Sequence, residues 1–296
     1  MSKTALSGVL LTIFAYFLFS LQDASVKLLV TDLPVFQILF IRSVVIFVGC
    51  LLIGRRKLLI NAISSPVLKP LFLRNLLLLG AWLAYYSAAR DLGLAELTTV
   101  YYASPIIITI LAVPILKEEV PTIRWLAVIF GFVGVVIACN PIGRGMTLSL
   151  PIGLALLAAV FWALSTVLLR KTALHEKTIV QMMISSGFFI VLTGIASFFL
   201  WVPVDLIQLA MMALTGIFAG VAQFALFESF RRAPVSLLAP FEYTSLIWAF
   251  ILGFAIWGDI PSHNVFYGAA LIFLAGVIIL FGERLMKSFN PPPSIP

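Results

Sequence analysis

Charged residues are scarce in this sequence, and their scarcity excludes a water-soluble fold. Only 10% of the 296 residues are Asp, Glu, Lys or Arg, whereas 62% are hydrophobic and the mean hydropathy is +1.15. A soluble domain typically carries about 25% charged residues, which cover its surface. A chain of this composition needs lipid as its solvent, and its length suits one compact membrane domain.

Residues and motifs on which most enzymes depend are also scarce. The two cysteines, Cys50 and Cys139, lie in or at the end of apolar runs, and the two histidines, His175 and His263, fall in predicted loops. The sequence has no zinc-type spacing, no histidine placed to activate a serine, and no Walker-type phosphate loop. We therefore expect neither enzyme activity nor a metal or cofactor.

Long hydrophobic runs fill most of the chain. A membrane-spanning helix needs about 20 mostly apolar residues, and the connections between the runs are short, so neighbouring helices must run antiparallel. The Pro-rich tail at 289–296 is predicted to be disordered. The runs predict an all-α integral membrane protein with ten transmembrane helices over 5–29, 34–54, 71–89, 95–116, 123–140, 148–169, 179–200, 207–230, 235–257 and 264–283.

The basic residues orient these helices. With the N-terminus inside, 15 of the 19 Lys and Arg are counted on the cytoplasmic side, among them Arg74 near the start of the third helix. Positive charge concentrates on the cytoplasmic side of membrane proteins. The asymmetry predicts that both termini are cytoplasmic, in the cytoplasmic (inner) membrane, and it accounts for the net charge of +7 without a nucleic-acid partner.

An internal repeat divides the chain into halves. Each half holds five predicted helices, and this odd number inverts the second half in the membrane, as in transporters whose substrate site lies near the midplane between two repeats. We predict a first repeat over 1–142 and an inverted second repeat over 143–288. The matching pairs are Gly8 with Gly153, Phe17 with Trp162 and Ser20 with Ser165, and then Tyr102 with Tyr243, Ser104 with Ser245 and Glu118 with Asp259.

Three stretches resemble the EamA branch of the drug/metabolite transporter superfamily. The run from Ala239, APFEYTSLIWAFILGFAIWGDIP, is similar to the signature of the penultimate helix in that branch, and Ser104-Pro105 through Glu118-Glu119 is a weaker counterpart. Asp23-x-x-x-Lys27 followed by Pro34-x-x-Gln37-x-x-x-x-Arg42 resembles its opening. The resemblance spans essentially the whole chain. It implies ten helices, an inverted five-plus-five repeat, alternating access and a substrate among amino acids, riboflavin, S-adenosylmethionine and similar amphipathic metabolites.

Three charges fall well inside predicted spans, where a charge is costly and often functional. Asp23 and Arg42 have similar depths on adjacent helices, so they form either a structural ion pair or a substrate or gating charge. Glu242 follows Pro240, which removes a helix hydrogen bond. Glu242 therefore suits coupling to a proton or cation, or capture of a substrate ammonium or amide. The alternative is a buried protonated glutamate that only packs against its neighbours.

Aromatic residues supply the rest of the candidate pocket. They can stack on planar substrates and donate hydrogen bonds, although interfacial belts and core packing remain alternatives. The polar Gln223 is expected to face the interior. The candidate substrate-binding or coupling residues are Glu242, Tyr243, Asp23, Arg42, Trp82, Tyr85, Tyr101, Tyr102, Trp162, Gln223 and Phe227.

These observations predict a secondary transporter that moves a small organic metabolite, such as an amino acid, a flavin or S-adenosylmethionine, by alternating access. A channel and an intramembrane enzyme are the alternatives. We expect a small-molecule substrate, a lipid bilayer around the chain, a proton or cation as coupling ion, and a monomer or homodimer.

Overall fold

The computed structural model describes residues 3–30, 32–88, 91, 97, 100–139, 149–258 and 263–289, and all the regular structure in these ranges is helical. The tail that was predicted to be disordered lies outside the described residues from position 290 onward. The helices are α1 Lys3–Leu29, α2 Val35–Ile63, α3 Leu68–Ala88, α4 Ser104–Leu116, α5 Thr122–Cys139, α6 Leu150–Ala173, α7 Thr178–Leu200, α8 Leu206–Arg232, α9 Val235–Leu238, α10 Thr244–Trp257 and α11 His263–Phe289.

Seven stretches of the described chain are long and apolar enough to cross a membrane. They are Lys3–Leu29, Val35–Gly54, Leu68–Ala88, Leu150–Ala173, Thr178–Leu200, Leu206–Arg232 and Val235–Trp257. Shorter apolar helices cover Ser104–Leu116, Thr122–Ile137 and Phe266–Ile278. The prediction of an all-helical chain with many membrane-spanning helices is confirmed at this level, but α2 continues to Ile63, well past its predicted end at residue 54.

The span predicted as one helix over 235–257 is broken. α9 ends at Leu238, a 3₁₀ segment runs from Ala239 to Tyr243, and α10 begins at Thr244. Pro240 lies at the start of this segment and has no N–H to donate to the preceding turn, which favours the tighter 3₁₀ geometry. Glu242 therefore lies in a helix break within the predicted span, two residues after the proline that was expected to remove a helix hydrogen bond.

Polar contacts between connections define two ends of the helix bundle. At one end Ser65 Oγ donates to Glu176 Oε2 at 2.7 Å, and Arg231 Nη1 donates to the Glu176 carbonyl oxygen at 2.8 Å. At the other end the Gln37 amide and the Val202 backbone exchange hydrogen bonds of 2.9 and 3.0 Å. We call the first the basic end and the second the opposite end. In the part of the chain that the structure describes, the α2–α3 and α6–α7 connections thus lie at the basic end and the α7–α8 connection lies at the opposite end.

Helices from the two halves of the chain pack on one another. The most extensive helix pairs among the described residues are α1 with α8, α2 with α7, α3 with α6, and α5 with α11. Glycine allows close approach where α5 meets the 3₁₀ segment. A Cβ atom at Gly131 would lie 2.3 Å from Cδ2 of the fully buried Tyr243.

Gly131→Ala is therefore expected to destabilise the protein. The added methyl group must displace the Tyr243 ring, and overpacking of this kind costs about 1–3 kcal/mol. The melting temperature in detergent should fall by several degrees. Gly49→Ala is the matched control, since nothing lies within 4 Å of its added Cβ and alanine has the higher helix propensity. Equal melting temperatures for both variants would contradict the close approach.

Candidate functional site

The Glu242 carboxylate is the centre of a side-chain hydrogen-bond cluster within the bundle. Its Oε2 accepts from the Tyr16 hydroxyl at 2.9 Å and from the Trp162 indole at 3.1 Å, and its Oε1 accepts from Ser104 Oγ at 2.7 Å. These donors come from α1, α6 and α4, while Glu242 itself is only 2% exposed. One carboxylate thus joins four separate segments of the chain. We call these four residues the Glu242 cluster.

The Glu242 cluster lies midway along the bundle. Tyr16 is thirteen residues from each end of α1, which at 1.5 Å per residue is about 20 Å. Removing a carboxylate from water costs several kcal/mol. Hydrogen bonds to a charged group contribute roughly 1.5–3 kcal/mol each, so the three donors offset part of that cost when Glu242 is ionised.

The same geometry shows where a proton can be taken up. The Trp162 indole can only donate, so Oε2 must remain an acceptor. The Ser104 hydroxyl can donate or accept, and it faces Oε1. Protonation at Oε1 would reverse that one hydrogen bond and leave the Trp162 and Tyr16 contacts in place. The cluster can therefore hold Glu242 in both the ionised and the neutral form.

A second polar layer fixes the helix break to α1 and α4. Ser245 Oγ lies 2.7 Å from the Tyr102 hydroxyl and donates to the Glu242 carbonyl oxygen at 2.6 Å. Ser20 Oγ reaches the Ser245 carbonyl oxygen at 3.3 Å. Through the Ser245 hydroxyl, the turn from Glu242 to Ser245 thus positions both Tyr102 and Glu242.

A run of tyrosine rings leads away from the helix break. The ring centroids of Tyr85 and Tyr101 are 4.9 Å apart, those of Tyr101 and Tyr102 6.0 Å, and those of Tyr102 and Tyr243 6.2 Å. Tyr86 adds a further edge-to-face contact to Tyr85. Tyr243 is fully buried against α5 and donates to the Val128 carbonyl oxygen at 3.4 Å. The other rings, those of Tyr85, Tyr86, Tyr101 and Tyr102, are half-buried.

Asp23 and Arg42 do not form the ion pair that was one of the two sequence-based alternatives. Both side chains are described, and no nitrogen–oxygen distance between them is within 4.0 Å. Arg42 stacks over the Trp82 ring at 4.6 Å, and its buried Nε has no hydrogen-bond partner in the described chain. Asp23 is exposed and accepts only a 3.3 Å bond from Gln22. Two opposite charges thus lie near one another without being neutralised.

Two predicted residues lie away from the Glu242 cluster. Gln223 is half-buried on α8 and makes no hydrogen bond to the described residues. Phe227 is fully buried beneath the Arg74 guanidinium, 5.1 Å from its ring centroid. The assignment of Arg74 to a cytoplasmic segment is wrong, because this residue lies inside α3 and is 4% exposed.

Sequence reasoning missed two members of the Glu242 cluster. Tyr16 could have been found from its central position in the first hydrophobic run. The sequence identifies Ser104 only as the repeat partner of Ser245. Because Ser245 lies within the ninth predicted span, that match indicates a similar depth for Ser104. The remaining predicted residues, Tyr85, Tyr101, Tyr102, Trp162 and Tyr243, are brought together with Glu242.

A second carboxylate holds the start of the broken helix at the basic end. Glu118 Oε1 accepts from the Val235 amide at 2.9 Å, and its Oε2 accepts from the amide and the hydroxyl of Ser236 at 3.1 and 2.7 Å. α9 has no cap of its own, since Pro234 precedes it. Lys117 adopts a left-handed conformation, with φ 54°, that ends α4 and turns the chain toward these partners. We call these contacts the Glu118 clasp.

The bundle is closed between the Glu118 clasp and Glu242. The side chains there leave no room for a water-sized sphere. On the other side of Glu242, Asp23 is exposed although it lies near Arg42 and Tyr86 between α1, α2 and α3. Among the charged candidate residues within the described helices, Asp23 is thus exposed, on the side of the opposite end, whereas Arg42 and Glu242 are buried. The residues that close the basic end include Thr12, Ile108, Thr166, Phe230, Val235 and Leu238.

Comparison with known proteins gives this geometry a context. The model of the EamA-like transporter family matches the chain twice, over residues 6–139 and 149–281. The chain belongs to the EamA-like transporter family. The prediction of a transporter for a small organic metabolite is confirmed at this level, and the EamA-like relatives are transporters rather than enzymes.

Individual EamA-like relatives align along nearly their whole length. The S-adenosylmethionine uptake transporter of Rickettsia prowazekii (strain Madrid E) is 24% identical over 290 residues, which cover 97% of this chain and 96% of the relative. The pseudopaline exporter CntI of Pseudomonas aeruginosa (strain UCBPP-PA14) is 26% identical over 282 residues, covering 92% and 95%. A crystal structure with 19% identity superposes with a TM-score of 0.76 over 96% of this chain and 99% of its own, which supports the fold.

Proposed function

We propose that this protein is a proton-coupled secondary transporter of the cytoplasmic membrane, carrying a zwitterionic, amphipathic metabolite by alternating access. The observation that carries the proposal is the Glu242 cluster, a buried carboxylate at mid-depth held by donors from both halves of the chain. It lies between the packed side chains of the basic end and the side on which Asp23 is exposed. A residue in that position can exchange a proton or a substrate with each side in turn.

The helix packing supports ten spans in two inverted repeats, 1–142 and 143–288. In the repeat, each helix of one half has a counterpart in the other half. Replacing every helix by its counterpart turns the α1–α8 pair into the α6–α3 pair and leaves the α2–α7 and α5–α11 pairs unchanged. These four pairs are the most extensive among the described helices. The two matches of the family model fall on the same two halves. A complete site within one chain suits a functional monomer, with a homodimer as an assembly of two such units.

The charges support an orientation with the basic end in the cytoplasm. Lys and Arg are concentrated in segments at that end, including Arg231 and Arg232 after the long α8, and such residues favour the cytoplasmic side. In this orientation the exposed Asp23 lies on the outer side of Glu242, and the Glu118 clasp lies on the cytoplasmic side. Both termini are then cytoplasmic.

Three features on the side of Glu242 where Asp23 is exposed support a zwitterionic, amphipathic substrate. The unneutralised Arg42 can bind a carboxylate in the planar geometry that guanidinium groups favour. Asp23 can bind an ammonium group, and the half-buried tyrosines can stack on a flat ring. S-adenosylmethionine, named for the Rickettsia relative, carries a carboxylate, an ammonium group and an adenine ring, so it is the first substrate to test.

The test is counterflow in proteoliposomes. Vesicles are loaded with unlabelled S-adenosylmethionine, and uptake of trace labelled compound is measured with and without a pH gradient. We expect transient accumulation at least tenfold above protein-free vesicles, saturation with concentration, and competition by unlabelled compound. Methionine, leucine, riboflavin and adenosine are tested in the same way.

Each outcome bears on the proposal. If none of these compounds exchanges through folded protein, and ions flow instead, the transporter is not a carrier of this class of metabolite. Exchange that is saturable but indifferent to pH would remove the proton coupling and retain the carrier. Protein-free vesicles and a Glu119→Gln protein, altered at an exposed loop residue, serve as the controls.

A further inference from the structure

Arg74 is a buried arginine that the proposed transport cycle has not yet used. It lies six residues into α3 from the basic end, about 9 Å along the helix axis, and is 4% exposed. A guanidinium group remains positively charged in proteins. A charged residue buried among membrane helices therefore needs a partner or a function.

The partners of Arg74 do not neutralise its charge. Its Nη1 donates to Asn75 Oδ1 at 3.0 Å and to Ser185 Oγ at 3.4 Å, and its face covers the Phe227 ring. No carboxylate lies within 4.0 Å of Arg74 in the part of the chain that the structure describes. Arg74 Nε and Asn75 Nδ2 are both buried without a hydrogen-bond acceptor. Two donors beside a positive charge form an incomplete site for an anion.

Arg74 faces the same way as two aromatic residues further along α3. Positions 74, 78, 82 and 85 follow one face of α3 by helical spacing, so Arg74 shares its face with Trp82 and Tyr85. Trp82 is the ring over which Arg42 stacks. About 12 Å of helix axis separates position 74 from position 82. On α7, Ser185 contacts Arg74, and Phe189, one helical turn further along, packs on Trp82. α7 therefore runs beside α3 from Arg74 to Trp82.

We propose that Arg74, with Asn75 and Ser185, forms a second carboxylate-binding subsite that receives the substrate when the basic end opens. It is the counterpart of Arg42, and this inference rests on the proposed function. Arg42 binds the substrate carboxylate in the conformation open to the opposite end. After the clasp releases and that half opens, the carboxylate transfers to Arg74, whose unused donors are then satisfied. In this cycle one arginine binds the substrate carboxylate on each side, Arg42 toward the opposite end and Arg74 toward the basic end.

The test measures affinity separately from each side. Right-side-out vesicles present the opposite end to the added substrate, and inverted vesicles present the basic end, if the proposed orientation holds. The probes are S-adenosylmethionine and decarboxylated S-adenosylmethionine, followed by methionine and 3-methylthiopropylamine. In each pair only the first compound carries a carboxylate.

Arg74→Gln should raise the KM for the carboxylate-bearing probe at least tenfold from the basic end, while kcat and the KM from the opposite end stay within twofold. The decarboxylated probe should show no change. Arg42→Gln should give the mirror-image result. Lys69→Gln, an exposed cation on the same helix, is the matched control, and Arg74→Lys and Ser185→Ala are milder variants should Arg74→Gln fold poorly.

Several results would overturn the inference. Equal increases in KM from both sides, or for both members of a probe pair, indicate a purely structural Arg74. Normal sided kinetics in every Arg74 variant exclude it from the transport path. If wild-type protein exchanges riboflavin or adenosine but neither carboxylate-bearing probe, the subsite is wrong while the carrier function stands. If it exchanges none of the tested compounds, the proposed function itself fails.

Discussion

A Glu242→Gln protein should lose proton-driven accumulation of substrate by at least a hundredfold and still fold. Glutamine has the shape of glutamate, and its oxygen can accept the hydrogen bonds from Tyr16 and Trp162 that Oε2 accepts in the native protein. Its NH₂ group meets Ser104, whose hydroxyl can become the acceptor. The network therefore survives, but the side chain can no longer release or bind a proton.

The measurement compares two assays on the same vesicles. Accumulation driven by a pH gradient should disappear, whereas counterflow should persist within about tenfold of wild type and become independent of pH, because exchange needs no net proton movement. Glu119→Gln is the control, an identical chemical change at an exposed residue. Wild-type accumulation by Glu242→Gln would remove Glu242 from the coupling mechanism, and loss of folding would be visible as a lower melting temperature.

The position of Glu242 could be predicted, but its partners could not. Hydropathy locates the ninth span, and Pro240 with Glu242 indicates an opened backbone near its middle. The partners lie 80 to 226 residues away along the chain, and nothing in local sequence sets the rotation of α1 or α6 that brings Tyr16 and Trp162 to one oxygen. Only packing between the halves determines those rotations.

The charges show a second limit of sequence reasoning. Asp23 and Arg42 have matching depths, which suggests a salt bridge, yet rotation of α2 directs Arg42 onto Trp82. Arg74 lies near the end of a hydrophobic run, where a basic residue usually reaches the interface. α3 begins at Leu68, three residues earlier than predicted, so Arg74 lies about 4.5 Å deeper than the predicted start at 71 would place it. The predicted span already contained Arg74, but nothing in the local sequence shows that its side chain turns into the bundle.

Glu118→Gln should open the basic end of the bundle. The native carboxylate accepts three hydrogen bonds from Val235 and Ser236, and two of them reach Oε2. In the variant the amide oxygen can keep the two bonds from Ser236, but the NH₂ group then faces the Val235 amide, so two donors would meet. Hydrogen bonds to charged groups contribute about 1.5–3 kcal/mol each. Loss of this one should shift the equilibrium between closed and open states by at least about tenfold, since 1.4 kcal/mol corresponds to tenfold.

Thr12 reports on that equilibrium because it is 1% exposed and lies between the Glu118 clasp and Glu242. With Cys50 and Cys139 replaced by alanine, Thr12→Cys is labelled by a membrane-impermeant maleimide applied to the basic end. Glu118→Gln should raise the labelling rate at least tenfold, whereas Glu119→Gln, one residue further along the same loop, should leave it unchanged. Equal rates in the two variants would mean that the Glu118 clasp does not close the bundle. A faster rate together with slower counterflow would identify its release as a step of the transport cycle, because a bundle held open at the basic end returns less often to the described conformation, in which Asp23 is exposed.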